Sequence, residues 1–425
     1  MEKQAKKNYA LPIAMMFALF FMIAFVTGLQ NPFGVIVKSQ FHASNLLSQL
    51  GNFANFFAYA CMGIPAGIML EKLGYKKTSL AAIAVGFVGV GITYLSGISG
   101  SFAVYLIGAL VSGFSMCMLN VVVNPMLNTL GGSGNKGNQL IQFGGACNSI
   151  GATIVPVLVG YLMGSDETAR TIAKANPALF LAMGIFALAF IVLAVMDIPE
   201  PNITKSNTNN GEKDQYSPFS FRHYILGVIA IFIYVGIEVG IPNIANLFMT
   251  KEAGIDTTAA GFVVGTYWFL MLIGRLCGGM IGAKISSRTM LSIVSAALIV
   301  LVISAIFTPT TVQINMPVFQ SNISFGMAQV PLCIMLLVIG GFCTSVMWGS
   351  IYNLAVEGLG KYTAKASGFF MVMVCGGGVL PAIQGYIADI STYMQSFWVI
   401  AIGLAYILFY ALIGSKNVNT SIKTN

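Results

Sequence analysis

Residues 118–132 read MLNVVVNPMLNTLGG, an apolar run in which Asn120, Asn124 and Asn128 recur at every fourth position. Four residues turn an α-helix by about 400°, so the three amides form one stripe that drifts only about 80° along the helix. The residues between them are Val, Pro, Met and Leu. A helix of this composition belongs in hydrocarbon, where a hydrogen-bonding group needs a partner or a wet cavity. The stripe predicts an amide face turned towards a cavity inside a membrane bundle.

The rest of the chain shares that solvent. Of its 425 residues, 57% are hydrophobic and 8% charged, against about 25% charged in a soluble domain. Apolar stretches of about 20 residues, each long enough to cross about 30 Å of hydrocarbon, follow one another. They predict spans near 11–36, 47–70, 79–97, 102–128, 139–163, 176–197, 222–248, 258–282, 289–307, 329–353, 364–388 and 395–414. The predicted class is an all-α polytopic membrane protein of twelve transmembrane helices. Basic Met1–Lys7 leads straight into the first of these, which is expected to be retained and not cleaved.

Charge gives the orientation. With the N-terminus inside, sixteen Lys and Arg fall on the inner side, four (Lys38, Arg170, Lys174, Lys251) on the outer side, and Arg275 within a span, accounting for all 21. The positive-inside rule therefore predicts that both termini are cytoplasmic. The net charge of +8 reports topology and contact with anionic lipid, not nucleic acid. Polar residues 199–221 read as a cytoplasmic linker between six-helix bundles at 1–198 and 222–425. A second break, 308–329, is expected to be an external loop with some order of its own.

Polar residues at mid-span are mostly amides. They are Gln30 and Asn31 in span one, Asn55 in span two, Asn120 and Asn124 in span four, Gln142 and Asn148 in span five, and Asn243 in span seven. Spans eight and ten add Trp268, Trp348, Tyr352 and Asn353. One or two such amides act as interhelical glue. This many, interleaved with aromatics, fits a polar chamber for a sugar: amides donate to and accept from hydroxyls, and rings stack on C–H faces. Glu238, in YVGIEVGIP, is the carboxylate placed well inside a span and the candidate for ion coupling. Gly236, Gly240 and Pro242 around it suggest a discontinuous gating helix. Glu71, Arg275 and Glu357 are read as a structural latch, with Arg275 and Glu357 paired at the cytoplasmic ends of spans eight and ten. The seven cysteines lack metal-ligand spacing and read as packing residues, so neither a metal nor a cofactor is expected. Paired acids or Ser/His sets of an intramembrane enzyme are not found either, which leaves a carrier or a sugar sensor.

The stretch GIMLEKLGYKK, Gly67 to Lys77, resembles the signature loop of the major facilitator superfamily. NPMLNTLGG, CNSIGATIVP, YVGIEV and the segment from Met347 to Pro381 are similar to the fucose–galactose–glucose:proton symporters within it. The resemblance implies two pseudo-symmetric six-helix bundles around a central sugar site worked by alternating access. It implies import of a hexose of the glucose/galactose type with a proton or sodium ion, by a monomer in a bacterial inner membrane. The alternatives are fucose or an amino sugar as substrate, or proton-driven export of a drug or metabolite. Two carboxylates of the fucose branch fall on Asn31 and Asn120 here, and a family Gln of span five falls on Gly145. Neither Asn can carry a proton, which leaves coupling to Glu238.

Overall fold

The computed structural model describes residues 9–40, 50–132, 135–163, 172, 175–200, 216–320, 323–419, 421–422 and 424, without the side chains of 28–40, 52, 155–157, 159–163 and 257. Most of the linker expected at 199–221 lies outside these residues. The helices run α1 Ala10–Gln40, α2 Leu50–Ser99, α3 Phe102–Leu130, α4 Lys136–Met163, α5 Asn176–Val195, α6 Arg222–Lys251, α7 Thr257–Ile281 and α8 Ser287–Phe307. A hairpin of β1 Gln313–Phe319 and β2 Phe325–Pro331 follows. Then come α9 Leu332–Thr344, α10 Met347–Val356, α11 Thr363–Val372, α12 Gly376–Ile390 and α13 Tyr393–Phe409.

Among the described residues, ten helical stretches are long and apolar enough to cross a membrane. The one within α2 crosses twice. Ala58 touches Gly113 and Gly89 touches Ser112, yet a straight helix would hold residues 58 and 89 about 46 Å apart. The chain turns at Gly74, whose φ of 87° is a left-handed value that glycine adopts without a Cβ clash. With α4, a further 28-residue helix, this makes twelve passes. Span ten departs from expectation in two ways. Residues 325–331 belong to β2, and the helix breaks at Ser345 and Val346, between α9 and α10.

Helices α1 to α5 pack on one another, as do α6 to α13, and the two sets meet along α2–α11 and α4–α7. Glycine makes the first seam possible: a Cβ on Gly368 would meet Gly67 Cα at 2.6 Å and Gly63 O at 2.7 Å. In the second, Gln139 Nε2 donates to Gly279 O at 3.1 Å. These contacts lie near the face carrying the start of α1, the Gly74 turn and the chain's C-terminal end, here called the terminal face. Towards the other end, α2 and α12 separate around a cavity of ≈ 580 Å³ lined by Phe53, Phe56, Phe57, Val379 and Ile383 among others.

A carboxylate closes the terminal face of the first helix set, and it is not Glu71, which is exposed. Glu200 accepts from the backbone N–H groups of Tyr75 (2.6 Å) and Lys76 (3.1 Å), just past the Gly74 turn. Lys76 Nζ donates to Met196 O at 2.6 Å.

Candidate functional site

The amide stripe of α3 reaches from its own helix set into the other. Asn120 Nδ2 donates to the Tyr59 hydroxyl of α2 (2.7 Å) and back to Met116 O (3.1 Å). Asn124 Nδ2 donates to Asn120 O at 2.9 Å, which leaves Asn124 Oδ1 to accept from Trp348 Nε1 of α10 at 3.2 Å. Asn128 Nδ2 donates to Asn353 Oδ1, and Asn353 Nδ2 passes the chain on to Ser287 Oγ at 2.9 Å. Among the described residues the stripe therefore opens onto no chamber in this conformation. Asn120 and Asn124 are buried, and the stripe is zipped against the opposite set. The cavity between α2 and α12 is walled by aromatic and aliphatic side chains instead.

Trp348 connects this zipper to the acid. Its ring meets the edges of Tyr234 (centroids 6.4 Å apart) and Phe370 (6.3 Å). Tyr234 lies one helical turn before Glu238 on α6, on the same face. Glu238 Oε1 is 3.2 Å from Arg275 Nη2 of α7, and the two side chains are only 14% and 11% exposed. Arg275 thus pairs with Glu238 and not with Glu357, which corrects the expected latch. Counting residues put Arg275 near the inner end of its span, but its long side chain carries the charge back towards mid-helix. Glu357 instead holds His223, whose Nε2 meets its backbone carbonyl at 2.9 Å.

The guanidinium also ties the two helix sets together. Arg275 Nη1 donates to Gly145 O (3.2 Å) and Ser149 Oγ (2.7 Å) of α4, and Nε to Ser345 O (3.4 Å). The break between α9 and α10 supplies that last carbonyl. Its neighbour Val346 O accepts from Gln142 Nε2 of α4 at 2.9 Å. Gly145 lies beside the guanidinium stem: a Cβ there would stand 3.4 Å from Arg275 Cδ, in ordinary contact, so only a longer side chain would run into the arginine. On α6, Pro242 has no N–H to give, which frees Glu238 O. That carbonyl faces the Tyr267 hydroxyl at 3.3 Å, and Thr344 Oγ1 lies 3.1 Å from the same hydroxyl. Helix α6 nevertheless runs unbroken through the proline. The discontinuity expected beside Glu238 is found across from it, in span ten.

The remaining candidates divide. Asn120, Asn124, Gln142 and Trp348 join the interface between the sets, with Glu238 and Arg275 beside them. Asn148 turns to α1, donating to Phe20 O at 3.1 Å. Tyr352 is buried within its own set, with its hydroxyl 2.7 Å from Ser367 Oγ. Asn55 is half-buried against Gly113 of α3. Asn243 and Trp268 are exposed, the latter edge-on to Tyr267. Gln30 and Asn31 lie on α1, but their side chains fall outside those described. Several residues enter that were not among the candidates, Tyr234, Ser149 and Gly145 beside the ion pair among them. Tyr234 was legible as the i−4 neighbour of Glu238 and Gly145 stood out only as the place where a family Gln falls, whereas Ser149 gave no signal short of the Arg275 contact.

Comparison with known proteins fits this architecture. The sequence profile described as Major Facilitator Superfamily matches residues 16–380. The "Glucose/galactose transporter" of Brucella abortus biovar 1 (strain 9-941) is 29% identical over 420 residues, covering 98% of this chain and 97% of its own. The "L-fucose-proton symporter" of Escherichia coli (strain K12) is 22% identical over 407 residues, covering 90% and 88%. Among solved structures, a Major Facilitator Superfamily transporter, FucP, in the outward conformation superposes with a TM-score of 0.81 at 19% identity, over 96% of this chain and 100% of that one.

Proposed function

Given that the chain belongs to the Major Facilitator Superfamily, we propose that it imports a hexose of the glucose/galactose type by alternating access, driven by a proton taken up at Glu238. The name carried by its 29%-identical relative supports the substrate class. One observation carries the mechanism: Arg275 joins Glu238 to α4 of the other helix set. In this reading the bundles are 1–198 and 222–425, joined by a linker at 199–221. The terminal face is cytoplasmic, as the lysine and arginine asymmetry requires, and the protein acts as a monomer in a bacterial inner membrane.

The cycle follows from the contacts. With the terminal face closed, sugar enters from the opposite side and its hydroxyls compete for Asn120 and Asn124. Asn31, Gln30 and Asn148 are the further polar contacts on that side, and Trp348 offers its ring face. An ionised Glu238 keeps Arg275 in place, and a protonated one gives up the ion pair. Arg275 is then left without its counter-charge and held only by the neutral groups Gly145 O, Ser149 Oγ and Ser345 O, a weaker tie between the sets that lets the bundles rock about the midplane site. A proton suits this arrangement better than sodium, because neutralising the acid releases Arg275, whereas a sodium ion would be repelled by it. Fucose-type coupling through spans one and four is not carried here, since Asn31 and Asn120 have no proton to exchange.

The test is hexose uptake into proteoliposomes under an imposed proton or sodium gradient. Concentrative glucose or galactose uptake that collapses with the proton gradient is the expected result. Binding without transport would make the protein a sensor, and sodium-dependent accumulation would move the coupling ion.

A further inference from the structure

Tyr234 carries a hydroxyl that its surroundings do not use. The side chain is fully buried on α6, one turn before Glu238 and on the same face. Its ring meets the edge of Trp348 at 62°, a contact that phenylalanine would make equally well. The hydroxyl lies beside Glu238 and Arg275, yet is in hydrogen-bonding geometry with neither, nor with any other described group. Other buried tyrosines of the same helix set have partners. Tyr224 donates to Ala366 O at 2.7 Å, Tyr267 meets Glu238 O and Thr344 Oγ1, and Tyr352 meets Ser367 Oγ. Tyr410 shares the lack but stands near Glu357 and Arg288 instead. A buried hydroxyl left unbonded is a cost that phenylalanine would avoid, so the oxygen at position 234 asks for a use in another state.

The chemistry of the pair supplies one. In the ionised state Glu238 Oε1 faces Arg275 Nη2 at 3.2 Å. A protonated carboxyl has an O–H to place and needs an acceptor, which a guanidinium cannot be, because all of its groups donate. Among the described residues, the titratable groups around the acid are Arg275 and Tyr267 of α7 and Tyr234 of α6, with Cys343 of α9 behind Tyr267. Tyr267 is committed to the Glu238 backbone and to Thr344. Ser149 of α4 already accepts from Arg275. Leu380 and Gln384 of α12 pack on Gly236 and Gly240, and two residues either way from Glu238 is a rotation of about 200°, the far side of α6. On α13, Gly403 meets Ile233 and Ile237. The Tyr234 oxygen is the unused acceptor beside the acid.

Resting on the reading of Glu238 as the site of proton uptake, we propose that the Tyr234 hydroxyl receives the proton-loaded acid: the carboxyl O–H turns from Arg275 and donates to Tyr234 Oη. The phenol keeps its own proton throughout, so Tyr234 is a positioning residue and not a relay. It holds the neutral acid away from the guanidinium and stabilises the state in which Arg275 has lost its counter-charge.

Tyr234→Phe removes the acceptor and keeps the ring. The assay is an infrared titration of the full chain in lipid nanodiscs, following the carboxyl C=O band that vanishes in Glu238→Gln. A hydrogen bond to the neutral form raises the pH at which an acid gives up its proton. Its loss should therefore move the midpoint of this band to lower pH, by about 0.4–1.1 in pH. A midpoint that stays in place, or moves to higher pH because the hydroxyl had been serving the carboxylate, overturns the proposal. Thermal unfolding gives a second reading. Above the midpoint the hydroxyl is idle, so Tyr234→Phe should unfold at or above the wild-type temperature, and a lower temperature there would reveal a structural bond and refute the assignment. If no such band titrates in the wild type, proton uptake at Glu238 is itself refuted, and the role of Tyr234 falls with it.

Discussion

Glu238→Gln separates coupling from transport. At 3.2 Å and an effective dielectric of about 20, the attraction between Glu238 and Arg275 is about 5 kcal/mol before desolvation. Removing one partner of a buried pair costs about 3–5 kcal/mol. Arg275 keeps Gly145 O, Ser149 Oγ and Ser345 O, so the lower end, about 3 kcal/mol, applies. That corresponds to roughly 150-fold in an equilibrium constant. The amide keeps the shape of the acid but holds no exchangeable proton. The mutant is therefore expected to lose gradient-driven accumulation while retaining exchange of labelled sugar across proteoliposomes. Thermal unfolding of Glu238→Gln, Arg275→Gln and the double mutant should give a coupling energy of about 3 kcal/mol. Undiminished accumulation in Glu238→Gln, or single-mutant effects that simply add, would refute the reasoning.

Other contacts make narrower predictions. Gly145→Gln places a side chain where Arg275 now lies and should impair coupling as Glu238→Gln does, seen as lost accumulation with residual exchange. Gly368→Val forces apart the backbones at the α2–α11 seam; overpacking of about 1–3 kcal/mol should shift the carrier towards a state open at the terminal face, measured as increased alkylation of cysteines introduced there. Trp348→Phe removes the donor to Asn124 and should weaken the closed state by about 0.5–1.5 kcal/mol, with altered sugar affinity in a binding titration. Glu200→Gln weakens two charge-assisted bonds to the Gly74 turn and should lower thermal stability by about 0.5–2 kcal/mol, with coupling intact in the uptake assay.

Much of this was legible in the residues, and the exceptions have physical causes. Span positions followed from hydropathy because lipid imposes a length on every crossing helix. Glu238 stood out because a carboxylate in hydrocarbon demands an explanation. Its partner did not, because residue counting locates the Cα of an arginine and not its charge. The break at Ser345 and Val346 carries neither proline nor glycine. It shows itself only through what its carbonyls bind, Arg275 and Gln142. The stripe at Asn120, Asn124 and Asn128 was read correctly as one face, but whether such a face is wet or zipped depends on the conformation and not on the helix.

The Glu200 clamp bears on how the protein can be cut. It fastens Glu200, at the head of the 199–221 linker, to the Gly74 turn, so the chain is tied back to the first helix set before it crosses to the second. The seventeen-residue path from Glu200 to Ser217 could span up to about 60 Å if fully extended. Two polypeptides divided near residue 208 should therefore find each other in the bilayer through their glycine seams and accumulate sugar as a nicked pair.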